Sequence, residues 1–203
     1  MKIQVKICGI RSLVAAQTAI YAGAKFLGFN FVSGSRRKIS PAFAKQIIDQ
    51  IKHQVKTVGV FQNQSLEEVN KIVEMLDLDY VQLHGEENQE YIDAVVRPVI
   101  KTLQLESDFN LNEVVKTIKS FKVPYFLADR VKQGQGKMLN TEKLNILCKS
   151  YPIFVAGGLT PLNIVEVVRE AEPFGVDVAS GIEIGGVEDL EKIKSFLDRV
   201  KNA

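Results

Sequence analysis

Cysteine and histidine are scarce in this chain of 203 residues, with two of each. Cys8 and Cys148 supply neither a disulfide framework nor a metal-spaced cluster, and His53 and His84 leave no histidine-rich metal set. An excess of one charge is missing as well. Lys and Arg number 26 against 24 Asp and Glu, a net +2, so no global basic field invites nucleic acid or a membrane surface. No apolar run approaches the roughly 18 residues of a membrane span. The opening MKIQVKICG is too short and too alternating for an apolar leader. Together these absences point away from nucleic-acid and membrane partners and toward a reducing, cytoplasmic compartment. Linkers and low-complexity segments are also lacking, so 1–203 reads as one domain.

What is present is a rhythm. Short β-type runs at 3–8, 25–32, 56–61, 79–84, 98–103, 125–129, 153–156 and 175–180 alternate with amphipathic stretches near 11–23, 41–52, 65–77, 87–96, 110–121, 141–150, 161–171 and 188–201. Turn chemistry punctuates them. Gly23 ends one helix, Ser65 stands three residues before Glu68 as in a capping box, and Thr160 with Pro161 reads as a cap followed by a first helical residue. Eight strands, each followed by a helix, predict an α/β fold, a single (β/α)8 TIM barrel. The rival is a doubly wound open sheet, which normally carries its glycine fingerprint after the first strand. Here Gly9 is isolated and the glycine-rich turns come late.

A barrel gives position a meaning, because its active-site groups sit at the carboxyl ends of the strands. The polar residues there are Cys8, Ser35 to Lys38, Gln82 and His84, Asp129, and Asp177 with Ser180, all expected at one mouth. AGGLTP follows the seventh strand and ASGIEIGG the eighth. Paired glycines can simply turn the chain. Two such loops at strands seven and eight favour a phosphate grip, with Gly157, Gly158, Ser180 and Gly181 letting backbone N–H groups approach the anion. The partner this implies is a phosphorylated small molecule. Arg36, Arg37 and Lys38 after the second strand are either a solvated face or a source of one inward cation for a second anionic group.

VKICGI at strand one, SRRKISP after strand two, VGVFQN, VQLHGEE, GQGK after strand six, AGGLTPLNI and VDVASGIE, in that order along the whole chain, resemble the phosphoribosylanthranilate isomerase family of tryptophan biosynthesis. The resemblance implies an Amadori rearrangement without metal or redox cofactor, in which N-(5′-phosphoribosyl)anthranilate becomes the 1-deoxyribulose 5-phosphate isomer. It implies Cys8 as general base and Asp129 as general acid. Arg37, directly before KISP, would meet the anthranilate carboxylate. The chain departs from the family pattern in RVKQGQGKMLN, which is shorter and lacks aromatic residues, at Ala179 where serine is common, and at Asn30 within GFNF. The oligomeric state stays open between monomer and homodimer.

Other roles stay open beside these. Cys8 can be an inert piece of core or, with His84, a nucleophilic pair, although the first and fourth strands of a barrel lie on opposite sides. His84 otherwise shapes the pocket, His53 faces solvent, and Cys148 is inert. Asp177 either pairs with Lys6 on the neighbouring strand or contacts substrate. Another sugar-phosphate isomerase and a catalytically silent barrel are the competing functions.

The chemistry sets a demand on charge. A free thiol near ~8.5 must fall by about two units to be mostly thiolate at pH 7, and a free aspartate near ~3.9 must rise by about three to keep its proton. Lys6 shares strand parity with Cys8, so a buried cation is expected to hold the thiol below ~8.

Overall fold

The computed structural model describes residues 3–130 and 138–203; GQGK and most of the RVKQGQGKMLN loop lie outside the described residues. Eight parallel strands close into a barrel in chain order: β1 (Gln4–Cys8), β2 (Phe26–Asn30), β3 (Lys56–Phe61), β4 (Tyr80–Leu83), β5 (Val99–Leu105), β6 (Tyr125–Arg130), β7 (Ile153–Val155) and β8 (Gly175–Val178). Helices α1 (Leu13–Ala22), α2 (Pro41–Ile51), α3 (Leu66–Leu76), α4 (Gln89–Asp93), α5 (Leu111–Lys119), α6 (Thr141–Ser150), α7 (Ile164–Ala171) and α8 (Leu190–Lys201) follow the strands in turn. The (β/α)8 expectation therefore holds, and the open-sheet rival falls on the pairing of β1 with β8. Among the described residues no helix is long and apolar enough to cross a membrane.

Local chemistry explains the helix starts. Ser12, Ser40, Ser65, Asn88, Asn110, Asn140 and Asp189 each accept a backbone N–H of the first turn, satisfying donors that a helix leaves orphaned. Gly23 closes α1 in the left-handed region at φ 106°. α7 differs from expectation. Thr160 and Asn163 bond each other in a turn over 160–163, so the helix begins at Ile164 without a side-chain cap.

The barrel has two cores. Between strands and helices lies a large apolar layer that includes Ile7, Leu27, Phe29, Phe61, Leu83 and Phe196. Inside the barrel a smaller cluster of Phe26, Val58, Ile100, Leu127, Phe154 and Ala156 fills the cylinder, with Tyr80, Tyr125 and Phe174 packed against it. The rings of Phe26, Tyr125 and Phe154 meet edge-on at 5.2–6.4 Å, a favourable aromatic geometry that plugs the end opposite the strand termini. With that end closed, polar groups gather at the other.

Most strand ends differ from the sequence reading by a residue or two, and three departures are more informative. β5 runs to Leu105 because Gln104 and Leu105 continue to pair with Asp129 and Arg130. α4 is only five residues long. β8 stops at Val178, and Ser180–Ile182 turn as a 3₁₀ segment into a small hairpin of β9 (Glu183–Ile184) and β10 (Val187–Glu188) that periodicity did not foresee.

Candidate active site

Alternation along β1 sends Val5 and Ile7 to the helical layer, leaving Lys6 and Cys8 on the barrel side. Lys6 is 0 % exposed, and its ammonium donates to Asp177 Oδ1 at 2.9 Å across the β1–β8 pairing, where the two residues are register partners. The Cys8 sulfur lies in the field of the same ammonium, and the two groups crowd the space beside Gly28. Of the two readings of Asp177, the Lys6 pair is thus formed, and Asp177 still borders the mouth cavity. Burial pulls the Lys6 ammonium down, yet Asp177 and Cys8 outweigh it, so Lys6 titrates above the usual lysine range and is a cation at neutral pH.

Two bare backbones make this cluster possible. A Cβ on Gly28, the β2 partner of Cys8, would stand 2.8 Å from Cys8 Sγ and 3.1 Å from Lys6 Nζ, so thiol and ammonium converge on space that only glycine leaves open. Gly9 lies at φ 83°, and a Cβ there would meet Arg37 Cδ at 2.5 Å. The glycine of the Cys8-Gly9 pair therefore lets the arginine stem cross the backbone beside the thiol. Gly28→Ala is expected to drive Cys8 off its rotamer, at a cost of about 1–3 kcal/mol for overpacking. A fall in kcat larger than that stability loss explains, read from parallel kinetics and thermal melts, checks this.

The thiol does not titrate as expected. Burial pushes Cys8 above its ordinary value; Lys6 and Arg37 oppose the shift, Asp177 reinforces it, and burial wins. The expected depression below ~8 is therefore corrected, since one buried cation whose charge Asp177 already shares does not offset the desolvation of a thiolate.

Asp129 is the penultimate residue of β6, on the barrel side and 9 % exposed. Burial raises its carboxyl above the usual aspartate range, the direction an acid requires, against the pull of His84 and of the Arg130 backbone N–H, which donates to Oδ1 at 2.8 Å. His84 Nε2 lies 3.9 Å from Asp129 Oδ2, and burial lowers the imidazole so that it is neutral at pH 7. His84 is placed against the acid by the β4–α4 loop, where Gln104 donates to its carbonyl at 2.9 Å and the buried Lys101–Glu87 pair holds Gly85. The nucleophilic Cys8–His84 pair finds no support, since β1 and β4 are not neighbours and the imidazole faces Asp129. Asp177 disfavours ionisation of both Cys8 and Asp129, and it borders the mouth cavity with Asp129, whereas Cys8 is not part of that lining.

The cation run divides. Arg37 is buried whereas the Arg36 side chain is 61 % exposed. Asn30 explains its presence at the end of β2: its side chain accepts from Val32 and its carbonyl from Ile39, fixing the loop that turns Arg37 inward. Gly157 and Gly158, both at φ 83°, and Ser180 border the mouth cavity of about 90 Å³ together with Arg37, Asp129 and Asp177. Gly181 is absent from that lining and instead packs its backbone on the Leu159 carbonyl, joining the two glycine loops. A larger cavity of about 830 Å³ lies between the β4–α4 loop and α5, and Cys8, Arg37, Asp129 and Asp177 take no part in it. His53 is exposed at φ 68° on the far face, and Cys148, its thiol pushed up to about 12 by burial, lies on α6 away from the mouth.

Sequence reasoning missed Glu183, which binds Arg37 twice, and Arg130, whose side chain crosses Gly158. The available signal for Glu183 was two glutamates in a stretch without helix period, opposite a run of cations.

Fold and mouth place the chain among the (β/α)8-barrel enzymes, whose working groups cluster at the carboxyl ends of the strands. Comparison narrows the class. The family described as N-(5′-phosphoribosyl)anthranilate (PRA) isomerase matches residues 5–199. An N-(5′-phosphoribosyl)anthranilate isomerase of Bacillus cereus (strain AH187) is 40% identical over 204 residues, covering 98% of each chain. The crystal structure of phosphoribosyl anthranilate isomerase from Thermus thermophilus superposes with a TM-score of 0.87 at 35% identity, over 98% of this chain and 99% of that one. A phosphoribosyl anthranilate isomerase in complex with reduced 1-(o-carboxyphenylamino)-1-deoxyribulose 5-phosphate gives 0.86 at 30% identity, over 99% and 100%. The chain belongs to the N-(5′-phosphoribosyl)anthranilate isomerase family.

Proposed function

We propose that residues 1–203 act as one cytoplasmic catalytic domain in which Asp129 is the general acid and Cys8 the general base for the isomerisation of N-(5′-phosphoribosyl)anthranilate in tryptophan biosynthesis. The observation that carries this reading is that Asp129 and Asp177 border one mouth cavity, while the Lys6 ammonium bound to Asp177 and the buried Cys8 thiol converge on the same space beside Gly28.

Asp129 gives its proton to the furanose ring oxygen as the C1′–O bond breaks, and the nitrogen lone pair forms the C1′=N⁺ bond of a Schiff base. Cys8 then removes the C2′ proton. The freed electron pair forms C1′=C2′ and neutralises the nitrogen, and the enolamine tautomerises to the ketone. One proton leaves Asp129 and one arrives at Cys8 per turnover, so exchange with solvent restores the starting state. The cationic Schiff base beside Cys8 supplies the field that the resting site lacks, favouring the thiolate when it is needed. Arg37 takes the anthranilate carboxylate, and Gly157, Gly158 and Ser180 grip the phosphate, while Gly181 joins their two loops. His84, neutral and next to Asp129, shapes the acid's side of the pocket, and Asp177 faces the sugar while holding Lys6.

The reactive form, thiolate with protonated carboxyl, is the minor one, because the thiol titrates above the carboxyl. Below the Asp129 pKa the thiolate fraction falls tenfold per pH unit. Between the two values its rise cancels the loss of protonated Asp129, and above the Cys8 pKa only that loss remains. A flat-topped bell in kcat/KM is expected, its alkaline limb belonging to the thiol. Iodoacetamide alkylation in a Cys148→Ser background should place that titration above ~8.5, and a thiol titrating lower would contradict the assignment.

The activity itself is read by mixing the purified chain with freshly made N-(5′-phosphoribosyl)anthranilate and following the loss of anthranilate-type fluorescence. Turnover by the parent is expected; an inert parent would leave a silent barrel.

A further inference from the structure

Arg37 does not wait alone at the mouth. Glu183 Oε1 accepts from Arg37 Nε at 2.6 Å and Oε2 from Nη2 at 2.9 Å, a two-point pairing between a guanidinium and a carboxylate that are both buried. The same Oε2 accepts from Arg36 Nη2 at 3.0 Å. The backbone of Glu183 is held too, its carbonyl accepting from Lys192 Nζ at 2.9 Å. Across the hairpin its register partner Glu188 accepts from the Arg11 backbone N–H at 2.5 Å and pairs with the Arg11 side chain, which also reaches the carbonyls of Gly186 and Arg36. Three loops, after β1, β2 and β8, are thereby tied through alternating arginines and glutamates.

The edge that Glu183 occupies matters. A guanidinium presents two planar edges to carboxylates: Nε with Nη2, and Nη1 with Nη2. Glu183 fills the first, and no described residue accepts from Nη1. The stem is fixed as well, lying where a Cβ on Gly9 would stand. Three arginines against two glutamates leave this network one positive charge in excess.

We propose that Glu183 is a positioning residue for substrate specificity: it locks the Arg37 guanidinium so that the Nη1–Nη2 edge is the one offered to a carboxylate on the substrate's aromatic ring. The proposal rests on the reading of Arg37 as the partner of that carboxylate. Glutamine at 183 keeps the shape but replaces one acceptor by an N–H donor facing a donor, so the lock opens. A carboxylate that only stapled the hairpin would matter equally for every ligand.

Calorimetric titration separates these cases. The ligands are reduced 1-(o-carboxyphenylamino)-1-deoxyribulose 5-phosphate and its phenylamino counterpart without the carboxyl group. The parent should prefer the carboxylated ligand, and Arg37→Ala should abolish the preference. Glu183→Gln should cut it roughly tenfold or more, the scale of a lost hydrogen bond to a charged group, with affinity for the carboxyl-free ligand unchanged. Glu183→Asp should restore part of it. If Arg37→Ala keeps the preference, the reading of Arg37 is wrong. If Arg37→Ala loses it while Glu183→Gln keeps it, or weakens both ligands alike, Glu183 is not a positioning residue and Arg37 stands. Should the glutamine variant fail to fold, Glu183→Asp carries the test, an undiminished preference overturning the proposal.

Discussion

Asp129→Asn and Cys8→Ala are each expected to lower kcat/KM by roughly 10²–10⁴, the usual worth of a positioned acid or base. The two losses arise at different steps. Asparagine fits the space between His84 and the Arg130 backbone N–H but carries no acidic proton, so ring opening falls to its uncatalysed rate. Alanine at position 8 leaves the acid intact and removes the acceptor for the C2′ proton. Because the steps are consecutive, the double variant should be little worse than the slower single one. Fluorescence progress curves on the four proteins measure this, and turnover retained in both single variants would remove the role assignment.

Lys6→Met is expected to be the most destabilising single change at the mouth. Lys6 is fully buried and its ammonium is 2.9 Å from Asp177, which is itself buried. The intact pair contributes modest net stability because both ions are desolvated, but removing one partner strands the other, at about 3–5 kcal/mol. For a chain of this size that is a fall in Tm of roughly 6–20 °C. Adding Asp177→Asn should recover part of the loss, since the stranded charge disappears. The thiol should also shift: without the ammonium, desolvation and Asp177 act on Cys8 unopposed except by Arg37, and its alkylation profile should move further to the alkaline side. Melting curves and alkylation rates read both effects, and a Lys6→Met protein that melts like the parent would show the pair to be solvated.

Much of this was legible in the chain. The period of the strands and helices specifies the barrel, because strands buried on both faces and helices buried on one leave different apolar repeats. Once the barrel is granted, strand ends become a mouth, and Cys8, Asp129 and Asp177 can be named from position, whereas Arg37 is singled out of its cation run only by the family resemblance. Parity along β1 and the β1–β8 neighbourhood made the Lys6–Asp177 pair foreseeable. Periodicity was silent on the rest. The hairpin carrying Glu183 has two-residue strands, too short for any repeat to register. The need for Gly28 comes from a neighbour across the sheet. The direction of the Cys8 titration depends on how completely the thiol is desolvated, and charge counting along the sequence carries no measure of that.

Borohydride trapping tests the division of labour between thiol and carboxyl most directly. With Cys8→Ala, ring opening proceeds while the C2′ proton stays in place, so the Schiff base should accumulate. Reduction should then yield the open-chain N-(5-phosphoribityl)anthranilate well above the buffer level. With Asp129→Asn the yield should not exceed that of buffer alone. Equal trapping by the two variants, or more by Asp129→Asn, would contradict a carboxyl that opens the ring and a thiol that acts after it.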